Sequence, residues 1–239
     1  MSFAAGLRQA LDLRQRDVDA ELRQGDTLEN VLDRHLLVVE KMSDREILTS
    51  VLLLSSDGKH LTHGAAPSLP KEYRDAINGS EIGPEAGSCG TAAYFGKPVY
   101  VTDIATDPLW AAYRDYALPH GLRSCWSTPI RNADGEVMGT FAVYNRSLSG
   151  PTRDELNAIA MITDNVAQAI TWARNSNVGM RDLDILPQQV AALGAIASAI
   201  ENQSDRLDSE GRAAVDDLVN GVRRLSEVIQ RQMAGADPV

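Results

Sequence analysis

Cys89 and Cys125 are the only thiols in 239 residues, and each stands where chemistry is possible. Cys89 lies in GSCGTAAYFG, a short helical pattern whose amino end is set by Ser88 to Thr91 and whose carboxyl end is marked by Gly96, with Pro98 barring continuation. A helix start offers unpaired amides and a partial positive charge, so it can receive an anionic or carbonyl-bearing ligand; Gly90 permits close approach. The same position favours thiolate, which makes Cys89 the expected reactive thiol. Cys125, in SCWSTPI, falls in a strand and is expected to be buried. Alternation puts Cys125 and Ser127 on one face and Ser124, Trp126 and Thr128 on the other, leaving open which set lines a cavity. If the two thiols lie within disulfide reach, oxidation can itself be a signal.

Aromatic residues gather around these thiols. The stretch 87–130 holds two of the three tryptophans and four of the six tyrosines. Trp110, Tyr113 and Tyr116 occupy a loop rather than a strand and offer apolar area plus a polar donor, as a ligand lid requires. Arg123 can pair an acidic group. The candidate ligand-binding residues are therefore Cys89, Gly90, Thr91, Trp110, Tyr113, Tyr116, Arg123, Trp126 and Ser127. The same letters also describe a capped helix and a lid packed over a filled core, and both readings stand at this point.

Other chemistries find little support. His60 and His63, in HLTH, fall on a strand, where positions three apart point to opposite faces, so no metal site is expected. Two cysteines are too few for a closed zinc site or an iron–sulfur cluster within one chain. No Ser-His-Asp arrangement has a nucleophile context, and DGEVMGTF is a turn rather than a phosphate loop. No catalytic residue and no cofactor is assigned.

The elements that must position these residues follow from periodicity. Residues 7–24 carry apolar positions at Leu7, Leu11, Val18 and Leu22, an amphipathic helix closed by Gly25. Asp26 or Thr27 caps a second helix running to about Met42. ILTSVLLLSSDGKHLTHGA is a hairpin about Asp57-Gly58, followed by a short helix over 69–77. After the Cys89 helix come the strand in PVYVTDI, a loop with short helices, and a second hairpin about Asp134-Gly135. A long amphipathic helix over 152–172 opens after Pro151.

This order, with GSCGTAAYFGKPVYVTDIATDPLW, ALPHGLRSCWSTPI, DGEVMGTFAVYNR and PTRDELNAIAMITDNVAQAI, resembles a GAF domain, a ligand-sensing relative of PAS domains. The resemblance implies an α+β fold: a GAF/PAS-like antiparallel sheet with flanking helices, preceded by an N-terminal helix and followed by a C-terminal helical hairpin. The expected organisation is an N-terminal helix over 1–25, a sensory domain over 26–174 and the hairpin over 175–239. Free methionine sulfoxide reductases of GAF type share a GVCGTA-like motif matching Cys89. Their catalytic cysteine lies in the excursion that here reads LWAAYRDYALPHG and holds none. Bilin-binding relatives follow their chromophore cysteine with histidine, whereas Trp126 follows Cys125.

Composition bounds the partners. Thirty-three acidic against 23 basic residues give a net charge of −10, which opposes binding a nucleic acid or an anionic membrane surface. No apolar run approaches a membrane span, and the first residues are charged where a signal peptide is apolar, so a cytoplasmic location is expected. The tail shows helical patterns over 186–200 and 215–229. The second has Val215, Leu218, Val222, Leu225 and Ile229 at a/d spacing, enough for a bundle seam. From Ser176 onward there is no histidine, and six arginines face ten acids; neither a phosphoacceptor helix pair nor an RNA-binding module is expected. The expectation is a bacterial, cytoplasmic GAF-type sensor, itself not an enzyme. It binds a small molecule, an anion among the candidates, and signals as a homodimer or through a protein partner such as a kinase. The alternatives are a thiol-dependent enzyme of free methionine-R-sulfoxide reductase type and a redox sensor using Cys89 and Cys125.

Overall fold

The computed structural model describes residues 3–175 and 209–234. The chain divides into two compact units, Met1–Ala173 and Arg174–Val239. The first unit is built on a six-stranded antiparallel sheet of β1 (Ile47–Leu54), β2 (His60–Ala65), β3 (Ser80–Glu81), β4 (Val99–Val101), β5 (Ser124–Arg131) and β6 (Val137–Asn145), in the order β3-β2-β1-β6-β5-β4. Central β6 pairs with β1 from Ile47↔Asn145 to Leu53↔Gly139 and with β5 from Ser124↔Asn145 to Ile130↔Gly139. Gly139 is required there: a Cβ would stand 2.2 Å from the Leu52 carbonyl oxygen.

The sheet is buried on both faces, so its central strands read as nearly unbroken apolar runs. One face packs on three helices: α1 (Phe3–Arg23), α2 (Leu28–Met42) and a long helix over 153–175, numbered α6 below. Leu11, Leu36, Trp126, Phe141 and Ile162 exemplify this layer. Thr27 caps α2, its Oγ1 accepting from the Asn30 amide at 3.2 Å. The Glu40 carboxylate of α2 accepts from the Thr49 amide and hydroxyl at 2.7 and 2.8 Å, tying helix to β1. The 153–175 helix opens with a capping box. Thr152 Oγ1 accepts from the Glu155 amide at 3.2 Å, while Glu155 Oε2 accepts from the Thr152 amide at 2.7 Å.

The other face carries the elements of the candidate site: α3 (Lys71–Ile77), α4 (Gly87–Phe95) and an excursion between β4 and β5. The excursion contains a 3-10 turn, Pro108–Trp110, the short α5 (Arg114–Ala117) and a second turn, Leu118–His120. Its fold is fixed by Arg114, whose guanidinium donates to the carbonyls of Ala105 at 2.7 Å and Asp107 at 3.1 Å. Gly96 ends α4 in the left-handed region at φ 60°, as a helix stop demands. In the second unit α7 (Ser209–Ala234) covers the later tail pattern, with Val215 and Val219 buried and Val222 packed beside them. The pattern over 186–200 lies outside the described residues. Among the described residues no helix is long and apolar enough to cross a membrane.

Candidate ligand cavity and thiol site

The first turn of α4 lies over β5 and β6, and the excursion lies over the start of α4. Between them is a cavity of about 30 Å³, room for about two waters at roughly 10–15 Å³ each. Tyr73, Leu52, Leu61 and Tyr144 form its walls, and Trp110 and Tyr113 form its lid. Backbone and side chains of Gly87, Ser88, Cys89 and Gly90 close the third side. No lining residue is a lysine, arginine, histidine, aspartate or glutamate.

One hydroxyl joins lid, helix and sheet. Ser88 Oγ donates to the Cys125 carbonyl at 3.0 Å and accepts from Trp110 Nε1 at 3.1 Å, with both side chains buried. Trp110 therefore hangs its ring over the cavity from a fixed polar anchor, the arrangement that an indole with a wet tip and an apolar body favours.

Beneath α4 the sheet face is polar where an apolar floor would be cheaper. Cys125 and Tyr144 are a cross-strand pair, so their side chains stand together, and the Tyr144 hydroxyl is 3.9 Å from Cys89 Sγ. Ser50 Oγ, Ser127 Oγ and Thr140 Oγ1 are fully buried and close no hydrogen bond of normal length. The strand period and the β5–β6 register put Ser127 and Thr140 on the sheet face that also carries Cys125 and Tyr144. Donors from Cys125 first, then Ser127, Thr140 and Tyr144, overcome the cost of burial and lower the Cys89 pKa to about 7. Burial, chiefly, pushes the Cys125 thiol well up, with its neighbour Cys89 adding to the effect. The Tyr73 and Tyr144 phenols are likewise raised, mainly by burial.

Of the residues singled out in the sequence, Cys89, Gly90, Trp110 and Tyr113 line the cavity. Thr91 is buried but turned away; its hydroxyl accepts from the Ala86 amide at 3.1 Å and holds the turn into α4. Tyr116 is 51% exposed and lies outside the lining, because the turn of α5 carries it to the far side of the lid. Arg123 is exposed and also outside; its backbone bridges Asn145 and Ile104 at 2.8 Å each, so the side chain projects from the sheet's end. The alternation in β5 resolves with Cys125 on the cavity side. Trp126, 2% exposed, faces the helical layer instead, its Nε1 donating to the Ser149 carbonyl at 2.8 Å and Arg45 stacked over its ring at 5.5 Å. Ser127 is on the cavity side, under Cys89 rather than in the lining.

His63 and His60 part company as the strand period requires: Nε2 of His63 meets Glu29 at 3.2 Å and Nδ1 of His60 meets Asp57 at 3.1 Å. Among the described residues no cluster of His, Cys, Asp or Glu could hold a metal. The sequence reading passed over Tyr73, Tyr144, Ser50 and Thr140. Residues 140, 142 and 144 do alternate onto one face, but only the β5–β6 register brings that face under Cys89.

A family model described as GAF domain matches residues 25–171. A methyl sulfide methyltransferase-associated sensor of Methanosarcina acetivorans is 39% identical over 151 residues, 62% of this chain and 15% of that protein. The chain thus spans a minor part of that relative's length. Two solved structures share the fold. The free methionine-R-sulfoxide reductase from Neisseria meningitidis in complex with its substrate has a TM-score of 0.57 at 17% identity, covering 74% of this chain and 95% of its own. The GAF domain of the Acinetobacter phosphoenolpyruvate-protein phosphotransferase has a TM-score of 0.53 at 14% identity, covering 70% and 97%.

Proposed function

The chain belongs to the GAF domain family, and from that premise we propose that it is a sensor whose cavity under the Trp110–Tyr113 lid receives a small uncharged molecule. The observation that carries this reading is the lining: two aromatic lid residues, apolar walls and a helix start, with no cationic side chain. An anion sealed there would lose its hydration without gaining a counter-charge, which is costly. A neutral ligand with one carbonyl-type acceptor is matched by the amides at the start of α4 and by the aromatic walls. The present cavity is far smaller than the several hundred Å³ typical of ligand sites, so a ligand larger than two waters enters by displacing the lid. Ligand binding then discriminates lid positions, and that difference is the only source of a signal. The signal leaves through the second unit, by homodimer formation or to a partner protein such as a kinase. The relative's name, a sensor, supports this class of role.

Thermal melting against a panel of small neutral and anionic compounds tests the reading. Stabilising compounds are expected among the neutral aromatics and amides, with the effect lost in Trp110→Ala. A panel in which only anions stabilise would overturn it. The sensor reading also expects no consumption of free methionine sulfoxide with a thiol reductant; turnover abolished by Cys89→Ser would replace it with the reductase reading.

A further inference from the structure

A ligand site of this kind does not need a thiol under its floor, nor three buried hydroxyls without partners. Each unpaired hydroxyl costs free energy on burial, and an apolar side chain of similar shape would avoid that cost. Ser127 and Thr140 share the sheet face of Tyr144, whose hydroxyl is 3.9 Å from Cys89 Sγ, and a thiolate is the species that gains from several donors. Cys89 reaches the cavity, being partly exposed, while Cys125 is sealed at 0% exposure behind it. The cavity also has a suitable size: room for two waters is room for one hydrogen peroxide molecule with the lid closed.

We propose that Cys89 is a peroxide-modification site, at which hydrogen peroxide oxidises the sulfur to a sulfenic acid and Cys125 then resolves it as a Cys89–Cys125 disulfide. In the first step the Cys89 sulfur attacks one peroxide oxygen and the O–O bond breaks. The second oxygen departs as hydroxide and takes up a proton to become water. In the second step the Cys125 sulfur attacks the sulfenic sulfur and the S–O bond breaks. The departing hydroxide takes the Cys125 proton and leaves as a second water. Two thiols are oxidised by two electrons and one peroxide is reduced to two waters; a reducing dithiol reverses the change. The Cys125 thiol, its pKa raised chiefly by burial, is a poor first nucleophile but needs only to be adjacent for the second step, and Cys125 lies under the first turn of α4, its carbonyl accepting from the Ser88 hydroxyl at 3.0 Å. The bond fastens the first turn of α4 to β5 at the turn that also anchors Trp110 through Ser88. Oxidation therefore acts on the lid, and the site stands independently of which ligand the cavity takes.

The full reduced chain is treated with hydrogen peroxide and analysed by intact-mass and non-reducing peptide mapping. The expected product has lost two hydrogens, links the Cys89 and Cys125 peptides, and returns to dithiol with dithiothreitol. Cys125→Ser is expected to accumulate a sulfenic acid at Cys89, trapped by dimedone, and Cys89→Ser to remain unmodified. Thr140→Val should slow oxidation at pH 7, about fivefold for a rise of one unit in the thiol pKa from about 7, with Thr140→Ser restoring the rate. Circular dichroism identifies variants that fail to fold, and the wild-type map alone decides the outcome in that event. Oxidation first at Cys125, a Cys89 rate no faster than that of glutathione, or conversion of Cys89 to sulfinic acid with Cys125 still free would each overturn the proposal. Stabilisation of Cys125→Ser, whose altered side chain lies outside the cavity lining, by a neutral compound in thermal melting separates failure of this proposal from failure of the ligand-sensor reading.

Discussion

Ser88 and Cys89 are neighbours, and Ser88 holds the lid through two buried hydrogen bonds. Removing the Ser88 hydroxyl strands the Trp110 indole N–H in a buried site and frees the Cys125 carbonyl. Ser88→Ala is expected to cost about 1–3 kcal/mol in denaturant unfolding, with hydrogen-exchange protection falling between residues 105 and 122. Unchanged protection there would show that the lid is held by packing alone. At Cys89 the donors predict a pH profile: alkylation by iodoacetamide should rise through a midpoint near 7, while Cys125 stays slow across the range. Cys89 was singled out from its place at a helix start, but its neighbours on the sheet were not. A dipole is a local property of sequence, whereas the hydroxyls of Ser127, Thr140 and Tyr144 come from two other strands and are joined to Cys89 only by register. Trp110 and Tyr113 were legible because amphipathic aromatics in a loop have few other uses. Tyr116, in the same run, was not separable, since only the turn of α5 decides which ring faces inward.

At the scale of elements, the α1–α2 layer contains a buried weak base. His35 is 2% exposed, and burial first, then the nearby Arg14 charge, lowers its pKa from 6.5 to about 4. Below pH 6.5 the unfolded chain binds a proton that the folded one refuses, so stability falls as pH drops through 6.5 to 4. The loss should be on the order of 3 kcal/mol between pH 7 and pH 4, and His35→Leu should flatten that slope. Equal slopes in both proteins would assign the acid sensitivity elsewhere. A second element test concerns β6. Gly139→Ala drives a methyl into the Leu52 carbonyl at the last pair of the β1–β6 register and should cost ~3 kcal/mol, the upper end for overpacking, measured by urea unfolding. The helices and hairpins were legible because each obeys a single local period with a marked stop, such as Gly96 or Asp134-Gly135. Two-residue β3 has no period to read. The capping box at Thr152 and Glu155 did have a signal, threonine followed three residues later by glutamate, which the reading of this helix from Pro151 passed over.

At the scale of the whole molecule, two compact units meet at Ala173 and Arg174, at the end of the helix over 153–175. Among the described residues, every strand and the members of both core layers of the first unit lie before that point. The second unit has a different character. In α7, a helix of 26 residues, Val215 and Val219 are buried and Val222 packs beside them. Amphipathic helices gain most of their stability from packing against another amphipathic face. A chain shortened to residues 1–175 is therefore expected to melt as one cooperative transition within a few degrees of the first-unit transition in the full chain. The association state should differ. Sedimentation is expected to show a dimer for the full chain and a monomer for the shortened one. Val219→Asp, which sets a charge into the buried seam, should give the monomer without altering the melting of the first unit. A dimer that survives both changes would move the contact to the sensory unit. The second unit would then be left as a docking element for another protein, to be found by cross-linking from α7.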